Sequence, residues 1–176
     1  MEKNIDPKAL FSFSYGMYIV SSLNSKGRYN GQVANAAMQV TGDPCGVAVC
    51  LHKSNLTTEY IGESNLFSVS VLSSEAPMTF IGQFGFKCGR DIDKFCNVKY
   101  ELGSTGVPMV LDYALAVLEA RVVGSFDIFT HRMFFGEVIS SRVVSPGEPL
   151  TYSDYHLIKK GKSPKNAPTF VFNQLK

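Results

Sequence analysis

Apolar and polar positions alternate along several stretches of the chain. Phe67, Val69 and Val71 alternate with Ser68 and Ser70, which predicts a strand over residues 67–72. Residues 45–52 alternate too. Val47, Val49 and Leu51 share one side, and the small residues Gly46, Ala48 and Cys50 share the other with His52. A side that small lets a neighbouring element, or a flat ligand, come close to the backbone. Residues 15–22 and 133–144 are rich in β-branched and aromatic side chains, as strands prefer. Residues 111–123 fit two patterns. Leu111, Leu115, Leu118 and Val122 make a helical stripe, whereas Leu111, Tyr113, Leu115 and Val117 make a strand face. Propensity alone favours the helix.

A short helix is predicted over residues 57–64, with Ser54, Asn55 and Thr57 as candidate N-caps. A second is predicted after Asp91. From Pro146 onward, Pro146, Pro149, Pro164 and Pro168 predict a mostly extended or irregular tail. Many strands and few short helices suggest a barrel or sandwich.

The chain has 176 residues, which fits one domain, and its 45% hydrophobic and 18% charged residues exclude wholesale disorder. No apolar run is long enough to span a membrane, and the start, MEKNIDPKAL, is not built like a secretory signal, so a cytoplasmic location is expected. Net charge is only +2, too small to argue for nucleic acid. It is unevenly spread. Residues 151–176 carry +4 and the first 150 carry −2, so the tail is the basic element, either solvated or an attractor of anions. Cys45, Cys50, Cys88 and Cys96 lack the paired spacing of zinc or iron–sulfur sites, and no metal is expected.

Four segments carry candidate chemistry. The first, His52-Lys53-Ser54-Asn55-Leu56-Thr57, lies where a strand ends and a helix begins. There free N–H groups and a partial positive charge suit a phosphate, or ordinary capping. The second, from Phe84 through Gly85, Phe86, Lys87, Cys88, Gly89 and Arg90 to Asp91, brackets aromatic and basic residues between glycines that permit close backbone approach. A surface turn explains it equally. The third, residues 32–41, alternates small residues with amides, which suit the edge of a heterocycle or simply an edge strand. The fourth is His131, whose ring titrates near neutral pH. Neither a phosphate-binding GxxxxGK[ST] loop nor a serine–histidine–acid pattern is present.

Together GQVANAAMQVT (31–41), SNLTTEYI (54–61), LFSVSVLS (66–73), IGQFGFKCGRDIDKF (81–95), HRMFFGEV (131–138) and YSDYHLIKKGKSPKNAPTF (152–170) resemble the flavin reductase-like, FMN-binding split-barrel family. The likeness is strongest to flavoredoxin and to the flavin domain of high-molecular-weight rubredoxins. It covers nearly the whole chain. It implies a mainly β fold, a six-stranded antiparallel split barrel of Greek-key type, forming one domain over residues 1–176 with a basic tail from 146 to 176. It also implies that residues 111–123 form a long barrel strand. A homodimer with FMN at the subunit interface is implied as well. His52, Lys53, Ser54, Asn55 and Thr57 fall where the family binds the FMN phosphate. Asn35, Ala36, Ala37, Gln39, Val40 and Thr41 fall where the ring lies, and Phe84 to Arg90 on a loop beside it. His131 falls on a family histidine near the flavin and nicotinamide, and Tyr152 and Tyr155 on tail tyrosines.

The resemblance implies an FMN oxidoreductase. NADH, NADPH or a protein donor would reduce it, and free flavin, a ferric chelate or a redox protein such as a rubredoxin or flavodiiron protein would oxidise it. An FMN electron carrier without turnover and a cofactor-free interaction barrel are the alternatives. Two departures stand out. Cys88 stands where relatives commonly carry Ser, and the chain ends at Lys176 without the CxxC-bearing domain of the rubredoxin fusions, so a separate acceptor is expected.

Overall fold

The computed structural model describes residues 6–10 and 12–170. The chain runs α1 (Pro7–Leu10), β1 (Tyr18–Leu23), β2 (Tyr29–Ala34), β3 (Ala37–Gly42), β4 (Cys45–His52), α2 (Leu56–Ser64), β5 (Leu66–Leu72), α3 (Met78–Gly85), β6 (Tyr100–Leu102), β7 (Pro108–Val110), β8 (Ala114–Ile128), β9 (His131–Val143) and α4 (Tyr152–Leu157). Seven strands form one antiparallel sheet in the order β2-β1-β5-β8-β9-β4-β3, and β6 and β7 pair separately. The fold is mainly β, as the sequence implies, with one strand more in the main sheet than the expected six.

The two edge strands of this sheet, β2 and β3, are consecutive in the chain and joined only by Asn35 and Ala36. A link that short forces the sheet to curl until its edges meet, so the barrel is closed by a covalent joint rather than by a ladder. Its interior holds Val20, Val49, Leu51, Phe67, Ala120 and Phe134. A second core lies outside the barrel, where Phe80, Ile81 and Phe84 of α3 pack with Met17, Leu72, Phe95 and Tyr155. Because cores lie on both sides of β5, Ser68 and Ser70 are as buried as Phe67 and Val69.

The ambiguous residues 111–123 lie mostly in β8. It is central in the sheet, with Val117 opposite Ser70 on one side and Arg142 on the other. Ladder hydrogen bonds along both edges override the helical propensity of its Ala, Leu and Glu. Buried Glu119, 1% exposed, faces the β6–β7 turn. It accepts from the backbone N and hydroxyl of both Ser104 and Thr105, and from the Ser140 hydroxyl. Burial alone would raise its pKa, but these bonds outweigh it and hold it at about 2.

Two expectations need correction. No helix follows Asp91: residues 90–97 are turns and bends, with the Phe95 N–H on Asp93 Oδ1 and Asn97 at φ 60. The helix lies earlier, as α3, where Pro77 occupies the N-cap position and Phe80, Ile81 and Phe84 make a buried stripe. The tail is mostly irregular, as expected, apart from α4 between its prolines, where Thr151 Oγ1 caps Asp154 N at 3.0 Å. Finally, none of the expected side chains caps α2. Asn55 occupies its N-cap position without a capping hydrogen bond. Residues 171–176 of the basic tail lie outside the described residues.

Candidate functional site

β4 delivers the chain to the site. Its side of small residues meets Thr41 at one end, where a side chain on Gly46 would collide with Oγ1 at 2.5 Å. At the other end Cys50 and His52 line a cleft of about 1620 Å³. The strand stops at His52, whose Nδ1 accepts from the Ser54 N–H at 3.2 Å. That bond turns the chain into α2 and, in the neutral ring, puts the proton on Nε2. Ser54, Asn55, Leu56 and Thr57 then line the cleft with the first turn of α2. With no side-chain cap, the N–H groups of that turn remain available to a ligand.

The opposite wall is the end of α3 and the turn beyond it. Phe84, Gly85, Phe86, Lys87, Cys88, Gly89 and Arg90 all line the cleft. They follow a helix C-terminus rather than precede a helix, so the local helix dipole is negative here. Lys94 answers it. This side chain is only 5% exposed, and Nζ donates to Phe84 O at 3.1 Å and Gly31 O at 2.9 Å. Burial lowers its pKa to about 8. Gly89 packs so closely on Asn30 that an added Cβ would lie 2.0 Å from Oδ1.

The floor is β2 and its joint to β3. Asn30, Gln32 and Asn35 line the cleft, and each leaves a buried polar atom without a partner: Asn30 Oδ1, Gln32 Oε1 and Asn35 Nδ2. Two acceptors and a donor left bare beside a cleft mark a ligand that both donates and accepts hydrogen bonds. Asn30 Nδ2 is already engaged, on Thr57 Oγ1 at 2.8 Å.

The tail closes the fourth side. Tyr155 is buried, lines the cleft, and donates from its hydroxyl to Lys162 O at 2.9 Å. Tyr152 OH bonds Ser163 and Thr169, and the ring of Tyr155 lies where a side chain on Gly161 would have to be. From this strap Asn166 Nδ2 reaches back to Asn55 Oδ1 at 2.8 Å and Ser54 Oγ at 3.3 Å.

The cleft thus gathers Asn35, His52, Ser54, Asn55, Thr57, the whole Phe84–Arg90 run and Tyr155. Other candidates stand elsewhere. Lys53 lies outside, with Nζ 3.8 Å from Asp127 Oδ2, a carboxylate that also binds Arg132. Ala36, Ala37, Gln39, Val40 and Thr41 run along the joint and β3, away from this cleft. His131 stands one ring behind the wall, edge-on to His52 with centroids 5.1 Å apart. Burial first, then the neighbouring His52, lowers its pKa, against a backbone contact from Asn166 that raises it. Among the described residues no three His, Cys, Asp or Glu side chains converge as metal ligands, and no helix is long and apolar enough to cross a membrane. Asn30, Lys94 and Asn166 are cleft residues that sequence reasoning missed. Lys94 stands in the RDIDKF block, where a lysine just before a phenylalanine hints at burial. Asn166 carried no local signal.

Residues 10–159, nearly the whole described chain, match the flavin reductase-like domain. The chain belongs to the flavin reductase-like family. It is similar to a ferric-chelate reductase (NAD(P)H) of Archaeoglobus fulgidus, 48% identical over 94% of this chain and 98% of that one. It is also similar to a high molecular weight rubredoxin of Moorella thermoacetica, 46% identical over 98% of this chain and 75% of that one. Among solved structures, flavoredoxin from Methanosarcina acetivorans shares the family fold with a TM-score of 0.71 and 26% identity. That match covers 85% of this chain and 81% of flavoredoxin.

Proposed function

We propose that this flavin reductase-like chain holds FMN in the cleft, receives electrons from a nicotinamide dinucleotide and passes them to flavin, ferric or redox-protein acceptors. The observation that carries the reading is the convergence of three unpartnered amide atoms and an uncapped helix start in one cleft. FMN offers the matching parts. Its ring edge both donates and accepts, and its phosphate suits helix N–H groups. The residues therefore fit the cofactor. Asn30, Gln32 and Asn35 would take the ring edge, and Ser54 to Thr57 the phosphate. When bound, FMN supplies hydride acceptance and stepwise electron release.

The chain's own residues do the rest. His52 is held by Ser54 and can present Nε2–H to the cleft. Lys94 places a buried positive charge on the wall between β2 and α3. Tyr155 and the strap narrow the space and exclude water.

The same reading includes a homodimer. On the outer face of the sheet Met38, Ala48 and Phe135 form one cross-strand row, and Cys50, Met133 and Phe126 form the next. Met38 is 60% exposed and Phe126 65%. An apolar face of this kind suits a second copy. Cys50 belongs to both this face and the cleft, so pairing would seat the ligand beside the interface. Val40 and Thr41, whose side chains lie beside Gly46 on this face, could then reach a ligand only across it.

The test is direct. Purified protein mixed with FMN should acquire a bound flavin spectrum, and anaerobic NADH or NADPH should bleach it. Protein that takes up no FMN ends the reading, and binding without bleaching leaves a carrier.

A further inference from the structure

The uncapped start of α2 has a cause. Asn55 holds the N-cap position with extended backbone, φ −76 and ψ 137, where its side-chain oxygen would ordinarily accept from the first free N–H groups of the helix. That oxygen is turned away. It accepts instead from Asn166 Nδ2 of the strap, at 2.8 Å. The second Nδ2 proton goes to Ser54 Oγ over a longer 3.3 Å, and the Ser54 hydroxyl donates its own proton to His52 Nδ1, 2.8 Å away. The Asn166 backbone also contacts the His131 ring. One strap residue thus holds both side chains that precede the helix and leaves the helix N–H groups bare.

The strap, residues 158–170, is shaped to present that residue. The Tyr155 hydroxyl donates to Lys162 O, and His156 Nδ1 stands 2.9 Å from Gly161 O. Ala167 N and Phe170 N close two turns onto Pro164 O and Ala167 O, at 2.9 and 3.0 Å. Ser163 and Thr169 are buried against Tyr152. All these bonds lie within residues 152–170, so they give the strap its form without fastening it to the barrel. Asn166 does the fastening, and its side-chain partners are a neutral amide and a neutral hydroxyl. The same N–H donated to an ionised oxygen makes a bond about twice as strong.

Resting on the FMN reading above, we propose that Asn166 is a phosphate-sensing latch, through which the strap closes firmly only over a phosphorylated flavin. The short bond to Asn55 anchors its amide, and the proton on the long bond to Ser54 turns to a phosphate monoester at the α2 start. Side chain and helix then offer that phosphate donors from two elements far apart in sequence: the bare N–H groups of α2 and the amide of the strap. The strap is fastened by the ligand it covers. A flavin without the phosphate leaves Asn166 on its neutral partners and the strap no tighter than before. Retention of FMN over riboflavin is therefore set by closure of the strap as well as by the helix start.

The experiment uses the full chain and reads binding and backbone protection rather than turnover. Native protein, Asn166→Ala and Asn166→Asp, each stripped of flavin, are titrated with FMN and with riboflavin by flavin fluorescence. Asn166→Ala should bind FMN ~10-fold more weakly with riboflavin affinity unchanged. Asn166→Asp should lose more, because it sets a carboxylate against the phosphate. Amide exchange over residues 158–170 is then followed with and without saturating flavin. FMN should slow it in the native protein and in neither variant, and riboflavin should not slow it. The proposal is overturned if both variants keep native FMN affinity, or if they lose both flavins alike, as a merely structural strap residue would make them. It is equally overturned if FMN leaves exchange in the native strap unchanged, if FMN slows exchange in the variants as in the native protein, or if riboflavin slows it as FMN does. Where riboflavin binds too weakly to titrate, exchange in the FMN-saturated proteins decides. Failure of the native protein to bind FMN sinks the FMN reading and this proposal with it, and is seen before any variant is made.

Discussion

Single residues show how burial and hydrogen bonding set charge in this molecule. Glu119 is a buried carboxylate held ionised by five bonds. Its pKa falls from 4.5 to about 2, so its stabilisation is complete above the ordinary value and is lost as pH falls toward 2. The shift corresponds to about 3 kcal/mol. Urea titrations should show the native protein gaining about that much over Glu119→Gln between pH 2 and pH 6. A constant gap across that range would remove the assignment. Asn35 tests the site. Asn35→Asp replaces a bare buried donor with an acceptor, and FMN affinity should drop by about 1–3 kcal/mol in a fluorescence titration. Residues such as Ser54 and Asn55 were legible as cleft-lining positions because the sequence sets them at a strand-to-helix boundary. Lys94 was not, since its role depends on carbonyls of Gly31 and Phe84 that only the fold brings together.

Among the elements, those with a simple period were readable. The β4 and β5 strands follow their alternation, and α2 begins at Leu56, within a residue of the expected start. The β8 strand was undecidable from periodicity, because its type is set by neighbours on both sides. The helix expected after Asp91 failed for a similar reason: residues 78–85 had a partner surface in the second core, and residues 90–97 had turn chemistry. The strap illustrates what local pattern cannot give. Its prolines predicted irregular backbone, yet its course is fixed by Tyr152 and Tyr155 of the preceding helix. Gly161→Ala would drive a methyl group to 2.2 Å from the Tyr155 ring. Hydrogen exchange over residues 160–170 should therefore accelerate in that variant while the barrel strands keep native protection. Unchanged exchange would mean that Tyr155 does not hold the strap.

For the whole molecule, the outer apolar face sets the expected assembly. Met38→Glu with Phe126→Glu places two charges on it without touching the barrel interior. Light scattering should report the mass of one chain for this variant and of two for the native protein. FMN affinity should weaken in the variant and, for the native protein, depend on its concentration. A native protein that is a single chain while holding FMN would contradict an interfacial site.

The Asn35–Ala36 joint ties recognition to architecture. The segment that sets the barrel's circumference also carries the unpartnered amide of Asn35 at the cleft, so a longer segment there would both widen the barrel and displace that amide. Diversification among such chains should accordingly leave this corner at fixed length. Insertions and altered preferences should collect on the C-terminal strap, which can be remodelled while the barrel stays shut.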